Sequence, residues 1–345
     1  MLAAEFEFKS LSVPLFQRGN FRPGLLPSST KLALSFALLL LGPPILRAQE
    51  RTPVILQVPS VNVQQTFAYG ERHGFFKQEG LDLRIVVIKP HLATATLLSG
   101  ATQFTGQFQT AFYAGLRGAP VKALFVVNSR PGWYLVVRPE IKSGRDLKGK
   151  SIAVSGLGTS THYAAMKVAA HFGLNPQRDL TYLGIGDDQS KLSAFKSGAV
   201  QAVQIGAPWH IEAEKLGGRE ILFVGDIVEL PTSGLGTSDK FLKEHPQTVK
   251  RVLRAALRIT REIRERPKDF GEFVARALKM DPDQSILAAE TVGKTISVDG
   301  LLSDEAYKNL IEAGIQTGAV TGTPNPNNAV DFTLLKEVLR ETGNR

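Results

Sequence analysis

Hydroxyl side chains and glycines are concentrated in one short segment of the chain, SGLGTST at 155–161. The segment follows an apolar run that predicts a strand, and it precedes a stretch with helical periodicity. The first amides of a helix lack partners inside the helix and lie at the positive end of its dipole, so they suit an anion or a polar oxygen. Glycines let a ligand approach the backbone, and Thr159, Ser160 and Thr161 add hydroxyl donors. Because capping a helix needs only one hydroxyl, we predict that this turn contacts a ligand.

Polar side chains also follow two strands predicted earlier in the chain. Ser60 and Asn62 come after the first predicted strand, and Gln107 and Gln109 come after a later, short one. In open α/β sheets, ligands bind beyond the carboxyl ends of the strands. Two sets of polar strand ends that face each other across a cleft would therefore form a clamp around a small molecule.

The spacing of reactive side chains gives no signature of catalysis or of a metal site. The six histidines are scattered, and the chain has no cysteine, which excludes disulfides, thiolate metal sites and a cysteine nucleophile. Neither a Gly-x-Ser-x-Gly turn nor a phosphate-binding loop is present. Asp187 and Asp188 follow glycines in a strand-to-helix turn, where we expect them to cap a helix. We predict no catalytic residue, no metal and no cofactor.

A dinucleotide and a nucleic acid are also poor candidates for a partner. Gly156 and Gly158 match half of the dinucleotide fingerprint, but Thr161 stands where the third glycine would allow close packing of helix and strand. The formal net charge is +9, of which residues 49–345 contribute +6, from 36 basic and 30 acidic side chains. No run of Lys and Arg is interleaved with aromatic residues, so the sequence predicts no nucleic-acid partner.

The N-terminal region has the features of an export signal. Lys31 precedes about ten mostly apolar residues, followed by the breaker Gly42-Pro43-Pro44 and the small residue Ala48. This apolar run is too short to cross a membrane. We predict cleavage near Ala48 and a free periplasmic protein, since no lipid-anchor cysteine follows. The thirty residues before Lys31 leave two alternatives open, a start downstream of Met1 and a transit-like extension.

The composition of the 345-residue chain, 43% hydrophobic and 21% charged, predicts a folded protein of about two domains. From Thr52, strands alternate with helices, which predicts mostly parallel sheets with helices on their faces. A polar segment at 143–150 precedes a second such series, and after Pro231 the pattern is helical. The helix predicted over 246–266 has an apolar face and a basic face. We expect the basic face to be solvated, with docking to an anionic lipid or a partner as the alternative; it contains Lys250, Arg251, Arg254, Arg258, Arg261 and Arg264.

Four groups of residues between Thr52 and Val320 carry a family resemblance. They are GFFKQEGLDL at 74–83, LSG at 98–100 with RGAPV at 117–121, DLKGKSIAV at 146–154, and FLKEHP at 241–246. Together they resemble the nitrate, sulfonate and taurine class of ABC-transporter substrate-binding proteins, a class that includes binders of riboflavin and of pyrimidine precursors.

The resemblance implies an α/β, two-lobed periplasmic-binding-protein type 2 fold, with mixed sheets and helices on both faces. The first lobe would comprise 51–135 and 229–345, the second lobe 136–228, and 1–48 would be the signal peptide or an N-terminal extension. The implied function is that of an extracytoplasmic solute-binding component of an ABC importer. Such a protein, expected as a monomer, closes its lobes on a small molecule and delivers it to the transmembrane permease.

The resemblance also implies which loops contact the ligand. The matching positions are Ser60, Asn62, Gln107, Gln109, Thr159, Ser160, Thr161 and Trp209, with Trp133 and Ser233 near the expected crossovers between the lobes. None of these loops contains an arginine, so neutral donors would have to hold any anion. A sulfonate, a carboxylate and an uncharged heterocycle therefore all remain open as ligands.

Enzymes on the same fold are the alternative to a binding protein. Pyrimidine-precursor synthases resemble this family but carry a cysteine-rich motif, and this chain has no cysteine. Dehydratases of menaquinone precursors share the fold but act in the cytoplasm and have no export signal. The predicted signal peptide and the absence of cysteine both favour a binding protein that is not an enzyme.

Overall fold

The computed structural model of the protein describes residues 51–321 and 328–343. The predicted signal peptide at 1–48 lies outside the described residues, as does most of the polar segment at 321–328. The described chain folds into two five-stranded sheets, each containing both parallel and antiparallel pairs. We call the first sheet and the helices packed on it the first lobe, and the second sheet with its helices the second lobe.

The first sheet has the strand order β2-β1-β3-β10-β4. Its strands are β1 Thr52–Val58, β2 Leu81–Val87, β3 Phe104–Thr105, β4 Val121–Asn128 and β10 Ser233–Ser238. β1 pairs in parallel with β2 and β3, whereas β10 runs antiparallel to both β3 and β4. Strands β1 and β4 are mostly buried and are nearly continuous apolar runs, TPVILQV and VKALFVVN. Strand β10, SGLGTS, is buried throughout although leucine is its one large apolar residue.

The second sheet has the order β7-β6-β8-β5-β9. Its strands are β5 Trp133–Val137, β6 Lys150–Val154, β7 Leu180–Gly184, β8 Ala202–Gly206 and β9 Arg219–Phe223. All five residues of β5 pair with β8, from Trp133 opposite Gly206 to Val137 opposite Ala202. The boundary expected after residue 135 would cut this strand, because one unbroken apolar run builds it. We therefore propose that the first crossover between the lobes ends before Trp133.

Thirteen α-helices surround these sheets in the described part of the chain. The first lobe has α1 Val61–Arg72, α2 Phe75–Gln78, α3 Pro90–Leu98 and α4 Phe108–Leu116, and the second has α5 Ser160–His171, α6 Asp188–Ser197 and α7 Trp209–Lys215. The C-terminal part has α8 Asp239–Glu244, α9 Pro246–Glu265, α10 Pro267–Leu278, α11 Pro282–Thr295, α12 Asp304–Gln316 and α13 Thr333–Glu341. Helices α1 and α2 are separate elements, because Gly74 between them adopts a left-handed backbone conformation with φ of 75°.

Helix α12 packs between the two lobes instead of returning only to the first. The Tyr113 hydroxyl on α4 donates to the Leu310 carbonyl at 3.0 Å, and the Tyr163 hydroxyl on α5 donates to Asn309 Oδ1 at 2.8 Å. Leu310 belongs to an apolar cluster that contains buried residues from both sheets. The C-terminal segment expected in the first lobe therefore also contacts the second.

The basic face of α9 contacts neighbouring elements through ion pairs. Lys250 Nζ lies 2.6 Å from Glu337 Oε2 and 3.0 Å from Glu341 Oε1 on α13. Arg254 Nε lies 2.8 Å from Glu79 Oε2, directly after α2. This face is thus largely used in joining helices, in contrast to the fully solvated face that we expected. Within the described residues, no helix has both the length and the apolar character required to cross a membrane.

Helices α10 and α11 form a tightly packed hairpin, and a glycine permits its close crossing. A Cβ atom on Gly271 would stand 2.6 Å from Ile286 Cα and 2.9 Å from Ile286 N, both backbone atoms of α11. Gly293, on the same pair of helices, has room, since the nearest atom would be Pro267 Cβ at 3.4 Å.

We predict that Gly271→Ala lowers the free energy of unfolding by about 1–3 kcal/mol, because the added methyl forces the two helices apart. Gly293→Ala is the matched control and should raise it by about 0.4–1 kcal/mol, since alanine restricts the unfolded chain more than glycine does. Urea unfolding followed by circular dichroism measures both. Equal effects of the two substitutions would contradict the close-crossing explanation.

Candidate ligand-binding cleft

Two short connections place the carboxyl edges of the sheets next to each other. β4 ends at Asn128 and β5 begins at Trp133, while β9 ends at Phe223 and β10 begins at Ser233. β5 and β10 run antiparallel to their neighbours, so both begin at the edge where the parallel strands end. Each connection therefore joins one carboxyl edge directly to the other. The region between these edges is where ligands bind in open α/β sheets.

A cavity of about 370 Å³ opens in this region. Helix α1, the α10–α11 hairpin, the strand ends at Asn128 and Ser233, and the loop before α7 form its walls. The lining residues are Val63, Gln65, Thr66, Asn128, Ala207, Pro208, Trp209, Ser233, Phe270, Val274, Leu278, Met280, Ser285, Ala288, Ala289 and Val292. Of the ten residues predicted to contact a ligand, Trp209 and Ser233 line this cavity. Trp209 comes from the second lobe, so the cavity is bounded by both lobes.

Hydrogen bonds fix the base of this cavity at the crossovers. Asn128 Nδ2 donates to Thr295 Oγ1 at 2.6 Å, and Asn128 Oδ1 accepts a hydrogen bond from the Ser233 hydroxyl. These bonds join the end of β4, the start of β10 and helix α11. The two polar groups nearest the crossovers are thus oriented before any ligand enters.

The hydroxyl turn at the start of α5 is held mainly by its own hydrogen bonds. Thr159 Oγ1 donates to the Gly156 carbonyl at 2.7 Å and caps the helix by accepting from the His162 amide at 3.4 Å. Thr161 is buried, and its Oγ1 accepts from the Ser155 amide at 3.0 Å. The turn lies at the carboxyl edge of the second sheet, outside the lining of the cavity. Its contact with a ligand stays a prediction, and Ser160 is the hydroxyl of the three that makes no hydrogen bond to the described residues.

The polar residues predicted in the first lobe also make contacts within the protein. Ser60 caps α1 by accepting from the Val63 amide at 3.4 Å, and Asn62 lies in the first turn of that helix. Gln107 is 5% exposed and donates through Nε2 to the Ile88 carbonyl at 3.3 Å. Gln109 Nε2 donates to the Pro231 carbonyl at 2.8 Å, which ties α4 to the second crossover. Ser60, Gln107 and Gln109 do not line the cavity, and the role of all four residues as ligand contacts stays a prediction.

The carboxylates of Asp187 and Asp188 have structural roles. Asp187 caps α6 by accepting from the Ser190 amide at 2.8 Å, which confirms the expected cap. Hydrogen bonding to Ser190 lowers the pKa of the Asp187 carboxyl. Asp188 Oδ1 lies 2.6 Å from Lys191 Nζ, and its Oδ2 accepts from the Gly206 amide at 3.1 Å. Asp188 thus holds the loop that leads to Trp209.

Lys191 is a buried cation that the sequence reasoning missed. It is 1% exposed, and besides its ion pair with Asp188 it donates to the Gln204 carbonyl at 2.7 Å. In the sequence, the position of Lys191 on the apolar side of a short helix is the feature that could have indicated a buried cation. The α10–α11 hairpin was missed for a different reason, since its helical pattern does not reveal which strand ends it covers.

Burial lowers the pKa of two histidines of the second lobe. His210, next to Trp209, stacks on the Tyr134 ring with centroids 3.9 Å apart, and burial lowers the pKa of its imidazole. Burial likewise lowers the pKa of His162. Among the described residues, no group of three or more His, Cys, Asp or Glu side chains is placed to hold a metal ion.

Two mixed sheets joined by a double crossover around a cleft define the periplasmic binding-protein fold. The structure resembles that of the periplasmic sulfonate-binding protein SsuA from Methylobacillus flagellatus, with a TM-score of 0.70 at 15% identity, covering 86% of this chain and 96% of that one. The family model described as NMT1/THI5 like matches residues 63–270, more than half of the chain. The protein therefore belongs to the NMT1/THI5-like family.

Two further relatives show the range of proteins that are similar to this chain. A Bacillus subtilis protein named as a binding protein, YtlA, is 24% identical over 308 residues, which cover 85% of this chain and 92% of YtlA. The desulfurization enzyme DSZB, in complex with biphenyl-2-sulfinic acid, has a TM-score of 0.61 at 16% identity, covering 84% of this chain and 99% of DSZB. At that identity the likeness concerns the fold alone.

We predict that Lys191→Met lowers the free energy of unfolding by roughly 3 kcal/mol, because it leaves the Asp188 carboxylate and the Gln204 carbonyl without their buried partner. Lys215→Met is the matched control. Lys215 forms an ion pair of the same spacing with Glu212, but both side chains are exposed. Its loss should change the free energy by about 0–1 kcal/mol in urea unfolding. A small effect of Lys191→Met would contradict the structural role of this pair.

The buried histidines predict that stability falls in acid. The pKa of His210 in the folded protein lies below its usual value of 6.5, so the unfolded chain binds the proton first as the pH falls. The corresponding stability is fully present above pH 6.5 and is lost as the pH drops below it.

His210→Phe keeps a ring on Tyr134 but removes the titrating group, so it should flatten the decline of the melting temperature below pH 6.5. His162 continues to contribute in this variant, because burial lowers the pKa of His162 as well. At pH 8 the variant should melt close to the unsubstituted protein. An unchanged pH profile would contradict the assignment to His210.

Proposed function

We propose that the protein is the extracytoplasmic solute-binding component of an ABC importer. In this role its two lobes close around a small organic molecule and present it to a transmembrane permease. The observation that carries the proposal is the cavity at the double crossover, because it is lined by residues of both lobes. A ligand held there contacts the second lobe through Trp209 and the first lobe through α1 and the α10–α11 hairpin.

Because the cavity is bounded by both lobes, ligand binding closes the lobes by shifting the population from an open to a closed state. A ligand shifts such an equilibrium only when it binds one state more tightly than the other. Contacts to both lobes can form together only when the lobes approach, so the closed state gains affinity. The connections at 129–132 and 224–232 are short segments at strand ends, and segments of this kind serve as hinges in domain closure.

The location and the partners of the protein complete the proposal. Export through a cleavable signal peptide at 1–48 would deliver a monomer to the periplasm, where it meets the permease. The relative YtlA is named as a binding protein, and the SsuA structure that this chain resembles is that of a periplasmic protein. We further propose that Ser60, Asn62, Gln107, Gln109, Trp133 and the 159–161 turn approach the ligand in the closed state.

An enzyme on this fold is the competing proposal, since DSZB has a similar fold. General acid–base and nucleophilic catalysis need a titratable or nucleophilic group within reach of the substrate. The lining contains the hydroxyls of Thr66, Ser233 and Ser285, and a hydroxyl nucleophile needs an adjacent general base. Among the described residues that line the cavity, none is an Asp, Glu, Lys, Arg, His, Tyr or Cys that could serve as that base. This lining favours binding without conversion of the ligand.

Cysteine pairs provide a direct test of closure, because the chain has no native cysteine. Arg72→Cys on α1 and Lys196→Cys on α6 place two labels on different lobes, and both positions are exposed. Lys148→Cys with Lys196→Cys is the control pair within the second lobe. The distance between labels is measured by energy transfer with taurine, nitrate, riboflavin or toluene-4-sulfonamide added at millimolar concentration, and with the molecules released from the purified protein on denaturation.

We expect at least one of these compounds to shorten the distance across the lobes while the control distance stays constant. The compound should be recovered unchanged, as judged by mass spectrometry. Recovery of a converted product would instead support the enzyme. Constant distances with every compound, together with no released molecule, would contradict a solute-binding role.

A further inference from the structure

We infer that the cavity selects an uncharged, mainly apolar molecule, and that the Ser285 hydroxyl forms the hydrogen bond that positions it. This inference rests on the proposed solute-binding function and narrows the class of solute. It concerns α10 and α11, two helices that none of the ten predicted ligand contacts involves.

The lining of the cavity provides no countercharge for an anion. Of its sixteen residues, all within the described chain, none is charged at neutral pH. Burying a carboxylate-sized ion without a partner costs several kcal/mol even after the protein relaxes. A nitrate, sulfonate or carboxylate would therefore need backbone amides as its donors.

Of the three helices that begin beside the cavity, α1 and α11 already have acceptors at their first turns, whereas α7 begins at the lining residue Trp209 without a side-chain cap. At α1, the Ser60 hydroxyl accepts from the Val63 amide at 3.4 Å. At α11, the carboxylate of Asp281, next to the lining residue Met280, accepts from the Gln284 amide at 2.9 Å. The charge of Asp281 also opposes a second anion at that helix start. The starts of α1 and α11 thus do not compensate for the missing countercharge. Helix α7 has only seven residues, and its Ile211 amide already donates to the Pro208 carbonyl at 3.1 Å.

Ser285 differs from the other hydroxyl residues of α11. The Thr291 hydroxyl lies 2.9 Å from that of Tyr134, and Thr295 Oγ1 accepts from Asn128 at 2.6 Å. Ser285 lines the cavity and is 2% exposed, yet its Oγ has no hydrogen-bond partner among the described residues. A buried hydroxyl without a partner costs about 1–3 kcal/mol, and a polar atom of a ligand would remove that cost.

The rest of the lining complements an apolar body. Phe270, Val274, Leu278 and Met280 form one wall, and the indole of Trp209 contributes an aromatic surface from the second lobe. Indole and phenyl rings bury large apolar areas and favour flat, aromatic partners. A volume of 370 Å³ lies near the lower end of ligand pockets, which span about 300–1,000 Å³. The cavity therefore suits a compact ring system with one or two polar atoms.

Two probes of the same shape and different charge test the inference. Toluene-4-sulfonamide is neutral and toluene-4-sulfonate is an anion, while the ring and methyl group are shared. Isothermal titration calorimetry measures both affinities on the unsubstituted protein, so Trp133, which we propose approaches the ligand, stays in place. We expect the sulfonamide to bind with a Kd roughly tenfold or more below that of the sulfonate.

Ser285→Ala should raise the Kd of the sulfonamide about three- to tenfold, which corresponds to one lost hydrogen bond. The urea midpoint should stay the same or rise, because the hydroxyl has no partner to lose. The matched control is Ser193→Ala, in the separate groove on the other side of Trp209, and it should leave the Kd unchanged. A lower urea midpoint, or an unchanged Kd, for Ser285→Ala would overturn the inference, as would a change of Kd with Ser193→Ala.

The substitution Met280→Lys is a second, independent test of the charge preference. Met280 lines the cavity and is 41% exposed, so its replacement leaves the core intact. The added ammonium group should reverse the preference in favour of the sulfonate. Tighter binding of the sulfonate by the unsubstituted protein, or no binding of the sulfonamide at millimolar concentration, would overturn the inference. If an anion closes the lobes and the sulfonamide does not bind, the solute-binding role stands and the inference about an uncharged ligand fails. If the sulfonamide binds but no compound closes the lobes, the inference stands and the proposed transport role fails.

Discussion

The antiparallel direction of β5 and β10 is the constraint on which the rest of the molecule depends. Because each of these strands starts at the edge where the parallel strands end, the chain passes from one sheet to the other with only short connections. The carboxyl edges of the two sheets therefore face each other. A longer connection, or a parallel strand at either position, would leave the two edges free to separate and would remove the cleft.

The C-terminal helices reinforce this arrangement from the side. Tyr134 on β5 shares a hydrogen bond with Thr291 on α11, and Tyr163 on α5 donates to Asn309 on α12. Both hydroxyls are buried, and burial raises the pKa of Tyr163, so the phenol keeps its proton and its role as a donor. Any closure of the lobes must therefore rotate around these contacts or exchange them. Helices beyond the second crossover thus help to determine which relative positions of the lobes are favourable.

Most polar side chains at the strand ends have partners inside the protein, and this shapes the character of the cleft. Gln109 binds the second crossover and Thr161 binds the turn that precedes α5. Lys191, the one buried lysine in the described chain, is neutralised by Asp188 and lies away from the cavity. With these groups engaged, the described lining of the cavity is mainly apolar, and the Ser285 hydroxyl is buried in it without a partner among the described residues. A fold shared with a sulfonate-binding protein therefore encloses, in this chain, a cavity whose described lining has no formal charge.

The sequence by itself determined the elements, because the information that specifies them is local. Apolar runs of about five residues, capping residues such as Asp187 and the helical pattern over 246–266 all depend on near neighbours in the chain. The family resemblance, carried by four short groups of residues, led to the correct fold and to the crossovers expected near Trp133 and Ser233. The lobe boundary expected at residue 135 falls inside β5, all five residues of which pair with β8, some seventy residues away.

Only the tertiary structure decided which polar groups have partners and which helices line the cleft. Ser160 and Thr161 are adjacent in sequence, yet only Thr161 is tied into the turn by a hydrogen bond from Ser155. Ser285 lies in an ordinary helical pattern, and the close crossing at Gly271 brings its helix against α10 at the side of the cavity. Hydrogen-bond partners and cavity walls come from residues far apart in the chain, so periodicity and spacing do not specify them.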